Sequence, residues 1–184
     1  MLGPRPAAGS HRAGLIRLEQ LAPDEGPRLR AIRVCALQDT PDAFSTTLEE
    51  AAAWPVESWS KQLLELPTFV AVSDGLDVGM VRCARDGNST ETGWLISMWV
   101  APEVRRKGIG GALVDAAIDW ARSRGVSRLL LDVADHNAPA IALYARRGFE
   151  PNGVTGRLPP PREHILEHQR ELEVGLKAPS ARRT

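Results

Sequence analysis

Three short runs in the middle of the chain, residues 68–73, 78–84 and 94–100, are rich in β-formers and follow a period of two. Asp74-Gly75-Leu76-Asp77 separates the first two, and the polar turn Asp86-Gly87-Asn88-Ser89 precedes the third. Strands joined by turns this short can only pair as an antiparallel meander. Downstream, Leu129-Leu130-Leu131-Asp132-Val133 is a nearly continuous apolar run, suited to a central strand covered on both faces, over 128–134. The segments around these strands are helical. Leu29, Ile32, Ala36 and Leu37 recur at helical spacing over 27–37, and a helix starting near Pro55 puts Trp59 and Leu63 on one face. Ile109, Leu113, Ala116, Ala117 and Trp120 mark a longer helix ending at Gly125, and Asn137 caps one that Gly148 closes. With a first strand at 15–20 and a final pair at 149–155 and 171–176, the expected fold is a mixed α/β sheet of six to seven strands, largely antiparallel, with helices on both faces.

The chain has 184 residues, 43% of them apolar and 25% charged, so one domain over 15–176 accounts for it. The aperiodic ends, 1–14 and 177–184, are expected to be disordered tails. Lysine plus arginine and aspartate plus glutamate each number 23, which argues against a general nucleic-acid or anionic-membrane surface. No apolar run reaches the ~20 residues that span a bilayer, and the N-terminus lacks a signal-peptide stretch. Cys35 and Cys83 lie far apart among apolar neighbours and are expected to be two buried thiols. A cytoplasmic location follows.

The chemistry gathers at Arg105-Arg106-Lys107-Gly108-Ile109-Gly110-Gly111-Ala112, between the third meander strand and the long helix. Glycines allow close backbone approach, a helix start leaves amides unpaired, and the helix dipole favours an anion there. Arg105, Arg106 and Lys107 add positive charge, so the segment suits a pyrophosphate. A Walker loop needs Gly-Lys-Ser/Thr, and Gly110-Gly111-Ala112 offers no hydroxyl for magnesium. A dinucleotide fingerprint needs Gly or Ala where Leu113 stands, and opens on a parallel unit rather than a meander.

Ser97-Met98-Trp99-Val100-Ala101-Pro102-Glu103 followed by Arg105-x-x-Gly108-x-Gly110 resembles the acyl-CoA-binding motif of the GNAT superfamily of N-acetyltransferases. The stretch from Asn137 through Ala140, Tyr144 and Arg147 to Gly148-Phe149 resembles that superfamily's second signature. Two motifs in order are specific where one is suggestive. The resemblance implies a GNAT fold with a splayed strand pair for CoA, and transfer of an acetyl group from acetyl-CoA to a primary amine in a ternary complex. It implies that the backbone around Met98, Trp99 and Val100 pairs with pantetheine, with an amide near Val100 facing the thioester oxygen. Amides of Arg106, Lys107, Gly108, Ile109, Gly110, Gly111 and Ala112 would hold the pyrophosphate, with Arg105 at the motif's first position. Asn137 would bond pantetheine, Ala140 and Arg147 would line the cofactor, and Tyr144 would protonate the departing thiolate. Relatives often form homodimers. The alternative is a non-catalytic CoA-binding module, against which an intact glycine loop together with Tyr144 argues.

The general base is left open, because the third meander strand offers Ser97 but no carboxylate. The acceptor is left open too. The helices before the meander and the final strand pair would build its side of the cleft, with Phe44, Glu49 and Trp99 as candidate contacts. Trp59 is expected in the core, as is Cys83. Trp54 is a candidate for an aromatic wall, and Pro159-Pro160-Pro161-Arg162 for a loop over the mouth. His136 is expected to face solvent. His164 and His168 lack a third ligand, so no metal is expected.

Overall fold

The computed structural model describes residues 16–175, so the tails expected at 1–14 and 177–184, with positions 15 and 176, lie outside the described residues. One seven-stranded sheet runs in the order β1-β2-β3-β4-β5-β7-β6. Its strands are β1 (Arg17–Gln20), β2 (Thr68–Ser73), β3 (Leu76–Arg85), β4 (Thr92–Val100), β5 (Arg128–Ala134), β6 (Glu150–Arg157) and β7 (Leu166–Glu173). Neighbours are antiparallel except β4 and β5, which run parallel. Helices α1 (Gly26–Asp39), α2 (Leu48–Ala53) and α3 (Val56–Glu65) lie between β1 and β2. Helix α4 (Ile109–Ser123) joins β4 to β5, and α5 (Ala138–Arg146) joins β5 to β6.

The pleat sorts the meander's side chains into two cores. Val70, Val72 and Met80 pack with Leu29, Ile32, Ala36, Leu37, Trp59 and Leu63 of α1 and α3. The alternate residues Ala71, Val81 and Cys83 pack with α4 through Ile109, Leu113, Ala117 and Trp120, and with Tyr144 of α5. The contact between α1 and α3 needs Gly26, where a Cβ would stand 2.7 Å from the Ser60 amide nitrogen. Continued along β3, the same alternation puts Arg82 on the α1–α3 face.

Two local features of β4 make room for a site. Its pairing with β5 is confined to Thr92–Arg128, Gly93–Leu129 and Trp94–Leu130, after which the strands part. Opposite β3, Arg82 pairs with Ile96 and Met80 with Trp99, so β4 carries one extra residue. This bulge sits beside Ser97, whose φ is +55°. It also reverses the pleat: Leu95 faces α4, whereas Trp99, four residues on, faces α1.

Several sequence expectations need correction. The final strand pair is 150–157 and 166–173 rather than 149–155 and 171–176. β7 reads LEHQRELE and is half-buried along almost its whole length, so no apolar pattern announces it. It is held by continuous pairing with β5 from Arg128–Glu173 to Ala134–Glu167. His168 therefore lies in a strand. Cys35 is exposed, because the buried stripe of α1 runs through Ile32, Arg33, Ala36 and Leu37 and leaves position 35 on the outer side. The short helix α2 was not expected, although Thr47 and Glu50 form its capping box. β5 is not wholly covered: Arg128 and Asp132 are exposed.

Candidate active site

A cleft of about 390 Å³ opens where β4 and β5 diverge. Leu95, Ile96, Ser97 and Met98 line one wall, and Asp132, Val133 and Ala134 the other. Asn137, Ala140 and Tyr144 of α5 close one end, and residues of α1, α3, β3 and the segment after α1 close the far side.

Beyond β4, a 3-10 turn at Pro102–Val104 leads into the glycine loop. Arg106 and Gly108 both take left-handed backbone, φ +63° and +84°, and Gly108 stands at the head of α4. Left-handed residues alternating with right-handed ones turn successive amides toward one side, making an anion-binding concavity. No described side chain caps α4, and its first turn holds no acid. Among the described residues the amides of 106–111 find no backbone acceptor. Gly110 fits tightly, because a Cβ there would stand 3.1 Å from Leu143 Cδ2 and 3.5 Å from Met98 Cε. Gly111 leaves room for the Arg147 guanidinium, which donates to both oxygens of Asp115 at 2.7 and 3.1 Å. Arg105 donates through Nε to the Val100 carbonyl at 2.8 Å and through Nη2 to Asp39. Lys107 is exposed beside the loop.

Other side chains singled out from sequence are placed as follows. The Asn137 side-chain Oδ1 accepts from the Ala140 amide at 3.3 Å and caps α5. Tyr144 is 5% exposed, lines the cleft and packs edge-on against Phe149. Burial pushes its phenol well above the usual range, so it holds its proton at any working pH. The Trp99 indole turns away from the cleft, into the core under α1, and donates to Asp39 at 2.9 Å. Its backbone lies opposite Met80 in the β3–β4 ladder, and the side chain does not reach the cleft. Phe44 is buried and lines the far side of the cleft, with Trp54, which stacks on Trp59 at 5.1 Å. Glu49 is exposed on α2 and does not line the cleft. Arg162 reaches from the β6–β7 loop to the Pro41 and Ser45 carbonyls and ties that loop to the far wall. His136 is exposed beside Asp135, and among the described residues no three ligating side chains cluster for a metal. Cys83 is buried in the core, its thiol pushed up to about 12.

Four functional candidates escaped the sequence reading. Asp132 is the one polar residue of its apolar run, and Glu167 stands on β7 beside it; both line the cleft. Burial raises the pKa of Asp132, with a Gln169 hydrogen bond opposing it, and burial together with the Asp132 charge raises that of Glu167. A carboxylate poised upward is a better proton acceptor than an ordinary surface acid. Asp132 was visible as a polar interruption; Glu167 was hidden in an unpatterned strand. Arg33 and Arg82 line the same cleft, each 4% exposed. Arg33 lies four residues from both Leu29 and Leu37, on the buried stripe, which was a legible signal.

The acetyltransferase (GNAT) family model matches residues 31–149. The chain is 32% identical over 124 residues to a mycothiol acetyltransferase of Beutenbergia cavernae, covering 67% of this chain and 41% of that one. It therefore spans about two fifths of that relative's length. A GNAT-family acetyltransferase from Streptococcus pneumoniae superposes with a TM-score of 0.76 at 22% identity, over 88% of this chain and 100% of the other. A protein from Salmonella typhimurium, solved with its cofactor acetyl-CoA, superposes with a TM-score of 0.70 at 19% identity, over 89% and 96%.

Proposed function

Because the chain belongs to the acetyltransferase (GNAT) family, we propose that it transfers an acetyl group from acetyl-CoA to a primary amine by direct attack in a ternary complex. The observation that supports this reading is a cleft between the parted edges of β4 and β5, lined by both Asp132 and Tyr144. The uncapped amide cluster at the start of α4 adjoins that cleft through Met98, which lines it and lies against Gly110. The cluster fits a pyrophosphate by charge and by unpaired donors, with Arg105, Arg106, Lys107 and Arg147 nearby. The β4 backbone past Trp94, unpaired with β5, suits an extended amide-bearing arm such as pantetheine.

Acetyl-CoA, when bound, supplies the activated thioester. The chain's own residues handle the protons and the orientation. An amine arrives largely as its ammonium and must lose a proton before it attacks. Asp132 takes that proton, with Glu167 beside it keeping negative charge at this end of the cleft and so attracting the ammonium. Tyr144 donates its proton to the departing sulfur, and its burial keeps that proton in place until then. The bulge at Ser97 turns the β4 backbone toward the cleft and positions the reacting groups. The cytoplasm is the location we assign, in keeping with the two free thiols, Cys35 and Cys83.

The test is CoA release from acetyl-CoA with a panel of amines, followed with a thiol reagent and by the mass of the product. Acetyl-CoA-dependent product with at least one amine class is the expected result. Tight CoA binding with no release above solvent hydrolysis for any amine would instead favour a non-catalytic CoA-binding module.

A further inference from the structure

The far side of the cleft holds two buried cations with no anion to match. Arg33 of α1 and Arg82 of β3 both line it, and each is only 4% exposed. Arg33 lies over the Phe44 ring at 4.4 Å, yet its Nη1 is sealed from solvent with no hydrogen-bond partner. Arg82 donates through Nη2 to Gln62 at 3.1 Å, and its Nε is sealed and unpartnered. Burial pulls both guanidinium groups down to about 10, and in Arg33 repulsion from Arg82 adds to it. No acidic residue among those described offsets either. The cleft's two carboxylates sit at the other end, on β5 and β7; burial raises both, the Asp132 charge raises Glu167 further, and Arg162 opposes that shift.

A buried charge without a partner is costly, and unpartnered guanidinium N–H groups are ready charge-assisted donors to an oxyanion brought against them. The cleft is thus bipolar, with acids where the amine must lose its proton and arginines across from them. Phe44 and Trp54 form apolar surface beside the arginines.

We propose that Arg33 and Arg82 form an anion subsite for the acceptor, so that the amine acetylated here carries an anionic oxyacid group, as a free amino acid or an aminophosphonate does. This rests on the acetyl-transfer reading for the word acceptor, but the subsite itself is testable without turnover. A peptide or protein N-terminus presents a neutral amide at the corresponding distance and would leave both cations unmatched.

The experiment titrates the CoA-loaded protein, which cannot turn over, with L-amino acids, their phosphonate analogues and their C-terminal amides. Tryptophan fluorescence is the readout, since Trp54 and Trp94 line the cleft. Within at least one side-chain series, the acid or the phosphonate should bind at least ~10-fold more tightly than the amide. The amide's amine is less basic and more readily deprotonated, so amine reactivity gives the acid no advantage. Arg33→Met and Arg82→Met should each reduce that preference to within about threefold, while Arg33→Lys retains part of it and CoA affinity stays constant in all three. The carboxylate and phosphonate arms tell the two oxyanion sources apart. Equal or tighter binding of amides throughout would point to a peptide acceptor and overturn the proposal. So would a preference that survives both methionine variants. A preference that holds while no acetyl product forms from acetyl-CoA would instead overturn the transfer reading and leave the anion subsite standing.

Discussion

Tyr144 and Asp132 line the same cleft, and the proposed reaction makes opposite demands on their protons. Tyr144 is buried, which keeps its phenol a donor, whereas Asp132 is exposed on β5 and only partly desolvated, which raises its carboxyl pKa and makes it more basic. Tyr144→Phe preserves the ring packed on Phe149 and removes only the hydroxyl. Turnover should fall by about 10²–10⁴-fold, the span of general-acid catalysis, with acetyl-CoA affinity nearly unchanged. Steady-state CoA release beside calorimetry on the same preparation checks this, and turnover within twofold of wild type would assign the proton to water. Asp132→Asn should lower turnover by a similar factor and at the same time stabilise the fold. The sign follows from linkage. A carboxyl whose folded pKa lies above its unfolded value penalises the native state while it is ionised, so the penalty is full above the folded pKa, fades as pH falls from there to the unfolded pKa, and is gone below it. The melting temperature of Asp132→Asn should therefore exceed that of wild type at pH 7 and converge with it in acid. Its rate profile should also lose the acid limb that the wild type shows. An unchanged melting temperature at pH 7 would mean that Asp132 ionises without cost.

At the scale of elements, the proposed reading makes cofactor binding depend on the α4 start. Gly110 faces Leu143, Met98 and Val100, between the helix, α5 and the bulged end of β4. Gly110→Asp puts a carboxylate into that gap, where it meets apolar side chains and repels an incoming phosphate. CoA affinity should fall at least ~10-fold, about 1.4 kcal/mol, in a chain that still folds. Undiminished calorimetric affinity in the folded variant would show that the phosphates sit elsewhere. How far these elements could be read from sequence depended on how each is held. Strands β2, β3, β4 and β5 and helices α1, α3 and α4 bury a patterned face, and the pattern showed them to within two residues at most boundaries. β6 and β7 are held by backbone pairing, and their side chains carry no apolar period, so β7 was placed five residues late. The bulge at Ser97 left no trace in residue type either. The resemblance made Trp99 a candidate contact beside the thioester, whereas the extra residue in β4 sends the indole to Asp39. The glycine loop and the Asn137 cap were legible because each needs particular residue types locally. Asp132 and Arg33 left local traces as polar residues on apolar runs, but Glu167 and Arg82 did not, and the role of all four comes from lining one cleft from strands and helices far apart in sequence.

Across the whole molecule, the sheet consists of two halves with a short seam. β1 to β4 and the helices α1 and α3 form one half, and β5, β7 and β6 the other, joined directly by three residue pairs at the β4–β5 edge. Helix α4 spans the seam on one face, packing Leu113 and Ala117 against both halves. On the diverging side nothing joins β4 to β5, and that is where the amide-bearing arm of a CoA would lie. A ligand there contacts both halves at once and binds the folded state alone. At a free concentration 100 times its dissociation constant, such a ligand adds about 2.7 kcal/mol to stability. Acetyl-CoA should therefore raise the melting temperature of the wild type clearly more than that of Gly110→Asp at the same concentration. Its location should also be visible in hydrogen exchange. Those amides of residues 95–100 on β4 that point away from β3, and the amides of 106–111 at the start of α4, should slow on addition of CoA, because they gain acceptors that the free protein lacks. Amides on β1 and β2, already paired and remote from the seam, should change only as far as global stability changes. Protection confined to the sheet's far strands, with none on β4 or at the α4 start, would place the ligand outside the seam and defeat the two-halves account. Protection at the α4 start without any on β4 would keep the phosphate site and reject the strand-like pairing of the arm.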